Sequence, residues 1–502
     1  MSSKKWLIVA ILALLSRLVG LGWGQGYFFH PDENIMATAV SGLSLTNLNP
    51  HFFAYGQFPL YLAFFSLFPF TGNYPSFSAS VFILRFWSAL FSLLYLFFAY
   101  KLSKLLIKSS SFHLLFLLLL IFNSGLIQLA HFGTTESILS LVFMANLYYS
   151  VKIINRPRLF DFLLAALFTG IGLGSKITAV FFILPLLIAA IFSKKILYFF
   201  TYLLISLYLF LLFSPYNWID FSTFLSTISY ETSIATGATS VFYTRQFLNT
   251  PPYLFQFIKI FPYTSSIFVF ILSFFGLFSF IKNIPKNKKA WFIVLFSSFV
   301  YFLYFGFVFA KWTRFMAPLF FVLPFFAAYF FLHLKKLRSD ICYLLVFLCC
   351  LPGFIFWLNY LRPDIRLLAT ADINHRLPSG SSLLSESGNV YPLPLSASFR
   401  VTDFDFYNLD FNQANQARLK SLIATSDYIL IPSRRVFKNQ TSPLFPQSAA
   451  YYHQLFDGSL GFQLIETYQP LSLFLNPESA EETYSVFDHP TLRLFKKDSH
   501  EN

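Results

Sequence analysis

Residues 6–37 read WLIVAILALLSRLVGLGWGQGYFFHPDENIMA, an apolar run that ends in a short group of ionisable residues. The run is long enough to cross the hydrocarbon core of a bilayer as a helix. Lys4 and Lys5 precede it and no small-residue cleavage pattern follows, so we predict an uncleaved signal anchor. Where the chain leaves this first span, the ionisable residues are His30, Asp32 and Glu33.

The whole chain is as apolar as this first segment. Of its 502 residues, 56% are hydrophobic, 21% are aromatic and only 12% are charged, and the mean hydropathy is +0.61. This composition is typical of an α-helical polytopic membrane protein and excludes a soluble globular chain. We predict about eleven membrane spans, near residues 6–24, 80–100, 114–129, 137–151, 160–175, 177–193, 196–214, 264–281, 290–309, 315–332 and 341–360.

The net charge of +14 is unevenly distributed along the chain. Residues 1–339 contain 24 Lys and Arg residues and 6 Asp and Glu residues, whereas residues 340–502 contain 12 basic and 16 acidic residues. Basic residues in short loops mark the cytoplasmic side of a membrane protein, so the excess indicates topology rather than a nucleic-acid partner. Seventeen of the 24 fall at alternate ends of the spans: Lys4, Lys5, Lys101, Lys104, Lys108, Lys152, Arg156, Arg158, Lys194, Lys195, Lys282, Lys286, Lys288, Lys289, Lys335, Lys336 and Arg338.

This alternation predicts a multi-pass protein of the plasma membrane with a cytoplasmic N-terminus. The apolar run at residues 57–70 contains Pro59, and counting it as a span would turn 15 of these charges to the outside. We therefore predict a juxtamembrane helix there, lying in the interface within a long first outer loop. A second long outer segment is predicted near residues 215–263.

The C-terminal part of the chain has a different character. Residues 361–502 contain short strand patterns, SDYILIPS and GFQLIETY, separated by turn-rich connections. We predict a transmembrane domain over residues 1–360 and a small extracytoplasmic α/β domain over residues 361–502. The three cysteines, at positions 342, 349 and 350, all lie in the last apolar run, so this domain has no disulfide option.

Acidic residues are rare before residue 339, and five of the six fall on the predicted outer side. Clustered ionisable residues at a membrane boundary are candidates for function. A carboxylate there can remove a proton from an acceptor hydroxyl while cations hold an anionic leaving group such as a lipid phosphate. We predict catalytic roles for Asp32, Glu33 and Glu136. We predict substrate binding by His30, Arg85, Lys176, Arg245, Lys311 and Arg314.

Each of these residues also has a simpler explanation. Pro31, Asp32 and Glu33 are residue types that open a helix, with acids facing the positive end of the helix dipole. Glu136 follows two threonines and fits a helix start as well. The cations can reach lipid headgroups or water without specificity, and His30 can be an interfacial hydrogen-bonding residue. We assign Asp220 and Glu231 to an amphipathic loop helix rather than to the chemistry.

Several motifs in order resemble those of the GT-C glycosyltransferases. They are HPDE after the first span, FAYGQFPLYL, RFWSALFSLL, GIGLGSKITAVFFILPLL, FSPY, KWTRFMAPLFFVLP and, near the end, EETYSVFDHPTLRLFKK. The branch that they resemble most contains protein O-mannosyltransferases and lipid A aminoarabinose transferases, known as glycosyltransferase family 39. The similarity extends over residues 1–360 and more loosely through the C-terminal part.

The resemblance implies an inverting transfer from a polyprenyl-phosphate sugar donor to an acceptor glycan, lipid or protein on the extracytoplasmic face. It also implies that Asp32 is the general base and that Glu136 orients the acceptor or a metal. Lys176, Lys311 and Arg314 match basic positions expected near the donor phosphate. Many GT-C enzymes carry Asp in the second acidic motif, where this chain has Glu136 with no second acid, so the sequence does not predict a tightly held divalent metal, although Glu33 could contribute one ligand oxygen; no other cofactor is indicated.

Two other function classes remain open at the level of sequence. A transporter or lipid flippase would place its charges at mid-depth on broken helices rather than along one rim. A noncatalytic membrane scaffold would act through its C-terminal domain and would tolerate loss of Asp32. The enzyme hypothesis requires instead that Asp32, Glu136 and at least one of Lys176, Lys311 or Arg314 face a single cavity near the outer leaflet.

Overall fold

The computed structural model describes residues 3–284, 287–334, 338–388 and 392–498. Lys286, Lys335 and Lys336 of the predicted cytoplasmic set lie outside these ranges. The part before residue 362 is helical. Its α-helices are Ser3–Leu18, Pro31–Ser41, Phe58–Thr71, Phe77–Leu106, Ser110–Ile121, Ser124–His131, Glu136–Asn155, Leu159–Ser175, Leu184–Ser193, Ile196–Phe213, Tyr216–Ile219, Phe221–Thr236, Leu254–Lys259, Phe261–Ser265, Ile267–Lys282, Lys288–Phe307, Val322–His333 and Ser339–Leu358. Short 3₁₀ turns span Ile177–Ile183, Phe242–Phe247, Thr313–Leu319 and Asn359–Leu361.

Among the described residues, five helices are long and apolar enough to cross a membrane, and up to eight spans result if each of three bent helix pairs counts as one. The bent pairs are Ser110–Ile121 with Ser124–His131, Leu254–Ser265 with Ile267–Lys282, and Thr313–Leu319 with Val322–His333. Each of the eleven predicted runs contains helix. The predicted polytopic helical architecture is confirmed, and the count of eleven stays a prediction.

Local sequence explains two of the bends. Asn123 interrupts the first pair, and its side chain accepts a hydrogen bond from the Leu126 N–H at 2.9 Å, which starts a new helix. Ser266 interrupts the second pair with a positive φ of 76°, which an α-helix cannot contain. Each such pair is either a broken span or a re-entrant segment, and hydropathy alone does not distinguish these from a continuous helix.

The helix Glu136–Asn155 is the centre of the bundle. Its apolar window is 83% buried, against 22% for Ile196–Phe213 at the periphery. It packs beside Phe77–Leu106 and Leu159–Ser175, so residues on all of its faces belong to the apolar core. A side chain at its first residue, Glu136, is therefore held in a fixed position.

The predicted juxtamembrane helix is present as Phe58–Thr71, and the first loop contains a second helix, Pro31–Ser41. The side chains of Met36, Leu60 and Phe64 are fully buried in a small apolar core between these two helices and Phe77–Leu106. The first loop is thus an ordered structure packed on the bundle. Its depth in a bilayer stays a prediction.

The C-terminal part contains the predicted small α/β fold. Five strands form one sheet in the order β2-β1-β3-β5-β4, with β1 Ser382–Glu386, β2 Arg400–Phe404, β3 Tyr428–Ile431, β4 Phe462–Tyr468 and β5 Leu492–Lys497. Strands β1, β2 and β3 are parallel, and β5 pairs antiparallel with both β3 and β4. Helices or turns of this part are Ile365–Arg376, Phe406–Phe411, Gln413–Thr425, Arg435–Asn439, Pro446–Asp457, Pro477–Ser479 and Glu482–Ser485.

Both strand patterns quoted from the sequence are confirmed, as β3 and β4. Between β4 and β5 the chain leaves the sheet and contacts the helical part. We name residues 481–489 the C-terminal strap. Gln128 of the helical part holds this strap, because its side-chain amide donates to the Tyr484 carbonyl at 2.8 Å and to the Asp488 carboxylate at 3.0 Å. The boundary at residue 360 stays a prediction.

Arg17 is a fully buried cation in the first helix, and it has no acidic partner among the described residues. Its guanidinium donates to the carbonyls of Leu120 and Ile121 at 3.1 and 3.0 Å and to the Ser92 hydroxyl at 3.0 Å. Those carbonyls end the helix Ser110–Ile121 and have no partner within that helix. Arg17 thus satisfies the helix end at one of the bends.

We expect Arg17→Leu to destabilise the protein. The Leu120 carbonyl keeps the Asn123 N–H at 3.3 Å, but the substitution leaves the buried Ile121 carbonyl without a donor among the described residues, at a cost of about 1–3 kcal/mol. The measurement is the thermal unfolding midpoint in detergent. Arg338→Leu is the matched control, because Arg338 is 81% exposed and pairs with an exposed Asp340. Equal midpoints for both variants would contradict the assigned role of Arg17.

Candidate active site

The group HPDE opens the helix Pro31–Ser41. His30 is the N-cap, and its Nδ1 accepts from the Glu33 N–H at 3.4 Å. Pro31 takes the first helical position, where its missing N–H and fixed φ are favourable. Asp32 and Glu33 lie in the first turn, where the helix dipole favours negative charge. The helix-start explanation therefore holds for the backbone, but the side chains of Asp32 and Glu33 also contact residues of other segments.

Glu33 and Arg85 form a buried, two-pronged ion pair. Arg85 Nε and Nη2 donate to the two Glu33 oxygens at 2.9 and 2.7 Å, and the side chains are 2% and 0% exposed. Glu33 Oε1 also accepts from the Gly133 N–H at 2.6 Å. Arg85 donates further to the carbonyls of Leu21 and Trp23.

This pairing does not fit the roles predicted for Glu33 and Arg85. Every oxygen of Glu33 is engaged, and neither residue lines a cavity found beside Asp32. The pair joins the first loop to the helix Phe77–Leu106 and to the chain before Glu136. The contacts therefore give Glu33 and Arg85 a structural pairing, and the catalytic role of Glu33 and the substrate-binding role of Arg85 stay predictions that this pairing does not support.

Asp32 points the other way and meets Arg314. The Arg314 guanidinium forms a short ion pair with Asp32 Oδ2, and the Tyr55 hydroxyl donates to the same oxygen at 2.9 Å. Arg314 also donates to the Tyr55 oxygen at 3.4 Å. Asp32 and Arg314 are 22% and 23% exposed, so both remain reachable. Residues 282 positions apart in sequence thus meet in one polar group.

The charge on Asp32 is strongly favoured. Burial acts to raise the pKa of Asp32, but the Arg314 guanidinium, followed by His30, the Tyr55 hydroxyl and Lys176, outweighs it and lowers the pKa to about 2. Asp32 is therefore a carboxylate throughout the physiological pH range. In this resting arrangement it is a weak base, because its negative charge is already stabilised by a cation.

Glu136 and Lys176 form a second pair beside the first. Lys176 Nζ donates to Glu136 Oε1 at 3.3 Å, and the ammonium lies 4.7 Å from the centre of the Tyr55 ring. Tyr55 therefore contacts a member of each pair, which makes it the link between Asp32 and Lys176. The structure brings together two acids and two cations from four different segments, and their chemical roles stay predictions.

A cavity of about 430 Å³ opens at Asp32 and Arg314. This volume lies in the range of small-molecule sites. Aromatic side chains form much of its wall: Phe52, Tyr55, Phe242, Tyr243, Trp312 and Phe487. A smaller pocket of about 20 Å³ shares Asp32, Arg314, Thr483 and Phe487 with it and reaches His30, Gln128 and Glu136. We call these the main cavity and the small pocket.

Asp32, Glu136 and Arg314 together line the small pocket, as the enzyme hypothesis requires. His30 lines it as well, with its ring packed 4.4 and 4.5 Å from the centres of Phe132 and Phe487. Burial lowers the pKa of His30, with smaller opposing contributions from Asp32 and Glu33. A neutral His30 packed between rings and capping a helix fits a structural part of the pocket wall.

Arg245 and Lys311 do not join this group. Arg245 donates to the Tyr407 carbonyl at 2.9 Å and to Gln440, and its guanidinium lies 4.9 Å from the centre of the Phe445 ring, so it binds the C-terminal domain. Lys311 is buried and donates to the Phe309 carbonyl at 3.0 Å, with no acidic partner in the described ranges. These contacts do not support substrate binding by Arg245 and Lys311, which stays a prediction.

Sequence reasoning missed several residues of the cavity wall. Glu231, assigned to a loop helix, lies in the helix Phe221–Thr236 but lines the main cavity, and burial raises its pKa. Thr483 and Phe487 line both cavities from the C-terminal strap. The rarity of acids was the available signal for Glu231. Asp220 caps that same helix by accepting from the Thr223 N–H at 3.4 Å, as the loop-helix assignment predicts.

The residues at the site do not fit a divalent cation. Among the described residues, no group of three or more His, Cys, Asp or Glu side chains is placed to hold a metal. Asp32 and Glu136 are each paired with a cation, and Glu33 is saturated by Arg85 and Gly133. A metal would have to displace a paired cation, and we derive no step through one.

Residues 76–219 match the model of the dolichyl-phosphate-mannose-protein mannosyltransferase family. The match confirms the predicted resemblance to GT-C glycosyltransferases. It covers less than a third of the chain and includes Arg85, Glu136 and Lys176, whereas Asp32 and Arg314 lie outside it. The predicted class, a membrane glycosyltransferase, is confirmed with the family resemblance. No curated protein sequence matches the chain significantly.

Three solved structures are similar to this glycosyltransferase in part. The oligosaccharyltransferase of Archaeoglobus fulgidus in the apo form has 11% identity and a TM-score of 0.48, over 98% of this chain and 88% of that one. ArnT from Cupriavidus metallidurans bound to undecaprenyl phosphate has 12% identity and a TM-score of 0.45, over 98% of this chain and 98% of that one. The Pmt1–Pmt2 complex of S. cerevisiae bound to the sugar donor has 17% identity and a TM-score of 0.32, over 46% of this chain and 34% of that one. All three TM-scores lie below 0.5, so the site is described from this chain's own contacts.

We expect Arg85→Met to reduce stability strongly while Glu33 keeps its charge. Breaking a buried ion pair from one side costs about 3–5 kcal/mol, because the partner is left unpaired. The double variant Arg85→Met with Glu33→Gln should recover part of the loss. The thermal midpoint of the two variants is the measurement, and a double variant less stable than Arg85→Met alone would contradict the pairing.

Proposed function

We propose that this membrane glycosyltransferase transfers a sugar from a polyprenyl-phosphate carrier to an acceptor hydroxyl on the extracytoplasmic face, with Asp32 as the general base. The observation that carries the proposal is the position of Asp32. Its carboxylate lies on the wall of the main cavity, reachable by substrate and directly beside the Arg314 cation. The acceptor can be a glycan, a lipid or a protein.

In the proposed step, the acceptor oxygen attacks the anomeric carbon of the donor sugar and loses its proton to Asp32. The bond between that carbon and the phosphate oxygen breaks, and the electron pair leaves with the polyprenyl phosphate. The products are the glycosylated acceptor and a more negatively charged phosphate. An adjacent base and a cation for the leaving group are the two aids that this displacement needs.

Two cations near the Asp32 carboxylate support a binding site for the donor phosphate there. Arg314 and Lys176 both belong to the polar group around Tyr55. Two buried atoms that line the small pocket, Arg314 Nε and Thr313 Oγ1, have no hydrogen-bond partner among the described residues. Buried donors without partners are destabilising unless a ligand satisfies them. A phosphate offers several acceptor oxygens that suit both groups.

Arg314 links phosphate binding to the strength of the base. In the resting state Arg314 is paired with Asp32 and holds the pKa of Asp32 down, against the effect of burial. A phosphate that takes over part of the Arg314 charge weakens this stabilisation, and the pKa of Asp32 rises. A base with a higher pKa accepts a proton more readily. The donor thus prepares its own base as it binds.

Exclusion of water supports the same assignment. A carrier-bound sugar would be hydrolysed if water reached the anomeric carbon beside an active base. The aromatic side chains around the main cavity and the strap residue Phe487 reduce the polar surface available to water. For the membrane orientation, the sign pattern of the loops favours a cytoplasmic N-terminus and an extracytoplasmic site.

We expect Asp32→Asn to lower the rate of sugar transfer by about 10²–10⁴-fold, because the general base is lost. The assay incubates purified protein with a panel of polyprenyl-phosphate sugars and measures released polyprenyl phosphate. Asp220→Asn is the matched control, since asparagine caps a helix as well as aspartate does. Equal release from wild type and Asp32→Asn would refute the assigned base, whereas no release from wild type with any donor would favour the scaffold hypothesis.

We expect Arg314→Gln to move the acidic limb of the pH profile of kcat/KM upward. In wild type the pKa of Asp32 is about 2, so protonation of Asp32 does not limit the rate near neutral pH. Loss of Arg314 removes the largest effect that lowers this pKa and leaves burial, which raises it. Arg314→Lys retains a positive charge and should shift the limb less. Coincident limbs for all three proteins would contradict the coupling.

A further inference from the structure

The C-terminal strap is rich in buried acids. Glu481 and Glu482 are each 1% exposed, and Asp488 is 7% exposed. Burying a carboxylate is unfavourable unless hydrogen bonds or cations compensate. Each of these acids therefore marks a specific contact. Glu482 pairs with Arg435 inside the C-terminal domain, and Asp488 accepts from Tyr360 and His489.

Glu481 differs from the other two because it has no cationic partner within the described ranges. Its oxygens accept from the Gln246 amide at 2.8 Å and from the Thr313 N–H at 2.9 Å, both in the helical part. They also accept from the N–H of Thr483 at 3.2 Å and from its hydroxyl. One carboxylate thus joins the strap, the second long loop and the turn Thr313–Leu319.

The residue after Thr313 is Arg314, the cation paired with Asp32. The Thr313 N–H opens the turn Thr313–Leu319, so its hydrogen bond to Glu481 fixes the backbone from which the Arg314 side chain extends. Apart from this backbone anchor, few contacts fix the position of the Arg314 side chain. Its Nε has no partner in the described part of the chain, and the guanidinium meets Asp32, Tyr55 and the Trp312 ring at 4.9 Å.

We propose that Glu481 of the C-terminal strap is a positioning residue that holds Arg314 against Asp32 and the donor phosphate. The C-terminal domain is therefore part of the catalytic unit rather than a separate docking module. Thr483, held by the same carboxylate, and Phe487 complete the cavity wall. The catalytic consequence rests on the proposed function, whereas the anchoring of the turn does not.

The test uses the full-length protein with Glu481→Gln. Glutamine retains the volume but replaces one carboxylate oxygen by an NH2 group that cannot accept, so residue 481 can accept from the Thr313 N–H or from the Gln246 amide but not from both. A displacement of about 1 Å at a reacting group reduces rates by about 100-fold, so we expect release of polyprenyl phosphate to fall by about 10–100-fold. Glu478→Gln is the matched control, because Glu478 pairs with Arg493 within the C-terminal domain and should retain the wild-type rate.

Two further readouts separate positioning from a general effect on folding. Hydrogen–deuterium exchange of the peptide 310–319 should be faster in Glu481→Gln than in wild type or Glu478→Gln. In an Arg314→Lys background, Glu481→Gln should add less than about a threefold further loss, because residues that act through one another are not additive. Unchanged exchange, or full additivity of the two losses, would overturn the proposal.

If Glu481→Gln fails to fold, a pair of variants at Thr313 gives the same comparison. Thr313→Pro removes the N–H at the first position of the turn, where proline is tolerated, and the ψ of 141° at Trp312 suits a following proline. Thr313→Val removes the hydroxyl and keeps the N–H. Because the Thr313 hydroxyl faces the proposed phosphate site, the readout for this pair is exchange alone: we expect faster exchange of residues 310–319 in the proline variant than in the valine variant, and equal exchange would overturn the proposal.

The exchange measurement also distinguishes failure of this inference from failure of the proposed function. If wild type releases no polyprenyl phosphate from any donor, the proposed function fails. Exchange at residues 310–319 then decides on its own whether Glu481 anchors the turn that carries Arg314. If wild type is active and Glu481→Gln is equally active despite faster exchange, positioning is refuted while the proposed function stands.

Discussion

The rest of the site depends on the buried ion pair between Glu33 and Arg85. It ties the helix Pro31–Ser41 to the helix Phe77–Leu106 and, through Gly133, to the chain that leads into Glu136. Glycine is required there because a Cβ at Gly133 would lie 2.7 Å from the Leu84 Cβ. With the first loop fixed in this way, Asp32 on the same helical turn faces the main cavity. Of the two neighbouring acids, Glu33 is buried in an ion pair and Asp32 is the one to which the proposed chemistry is assigned.

The two ion pairs formed by Glu33 and Asp32 differ in solvent exposure. The buried pair of Glu33 and Arg85 is closed to substrate, whereas Asp32 with Arg314 is partly open to the main cavity. Tyr55 joins the open pair to Lys176 and Glu136. Because a buried pair that loses one partner leaves an unpaired internal charge, a bound anion can compete for a cation of the open group at lower cost, and the proposed chemistry is therefore assigned to the open group.

The sequence predicts the open group better than the closed one. Asp32, Glu136, Lys176 and Arg314 are recognisable because charges are rare in so apolar a chain. The same rarity also selects Glu33 and Arg85, and no pattern reveals that these two satisfy each other. Burial depends on tertiary contacts, so composition identifies candidates without separating structural pairs from reactive ones.

Other features leave little trace in sequence. The bends at Asn123 and Ser266 lie in uniformly apolar surroundings, where hydropathy does not distinguish a break from a continuous span. The role of the strap rests on contacts between residues more than 160 positions apart, such as Glu481 with Thr313. Local propensity contains no information about contacts of that range.

The strap has a consequence for how the enzyme matures. Asp32 is synthesised about 450 residues before Glu481, so the first loop and the helical bundle precede the strap. Contacts of such high sequence separation form late. Nascent chains therefore lack the part of the cavity wall formed by Thr483 and Phe487 until the C-terminal part has folded and its strap has docked on the helices.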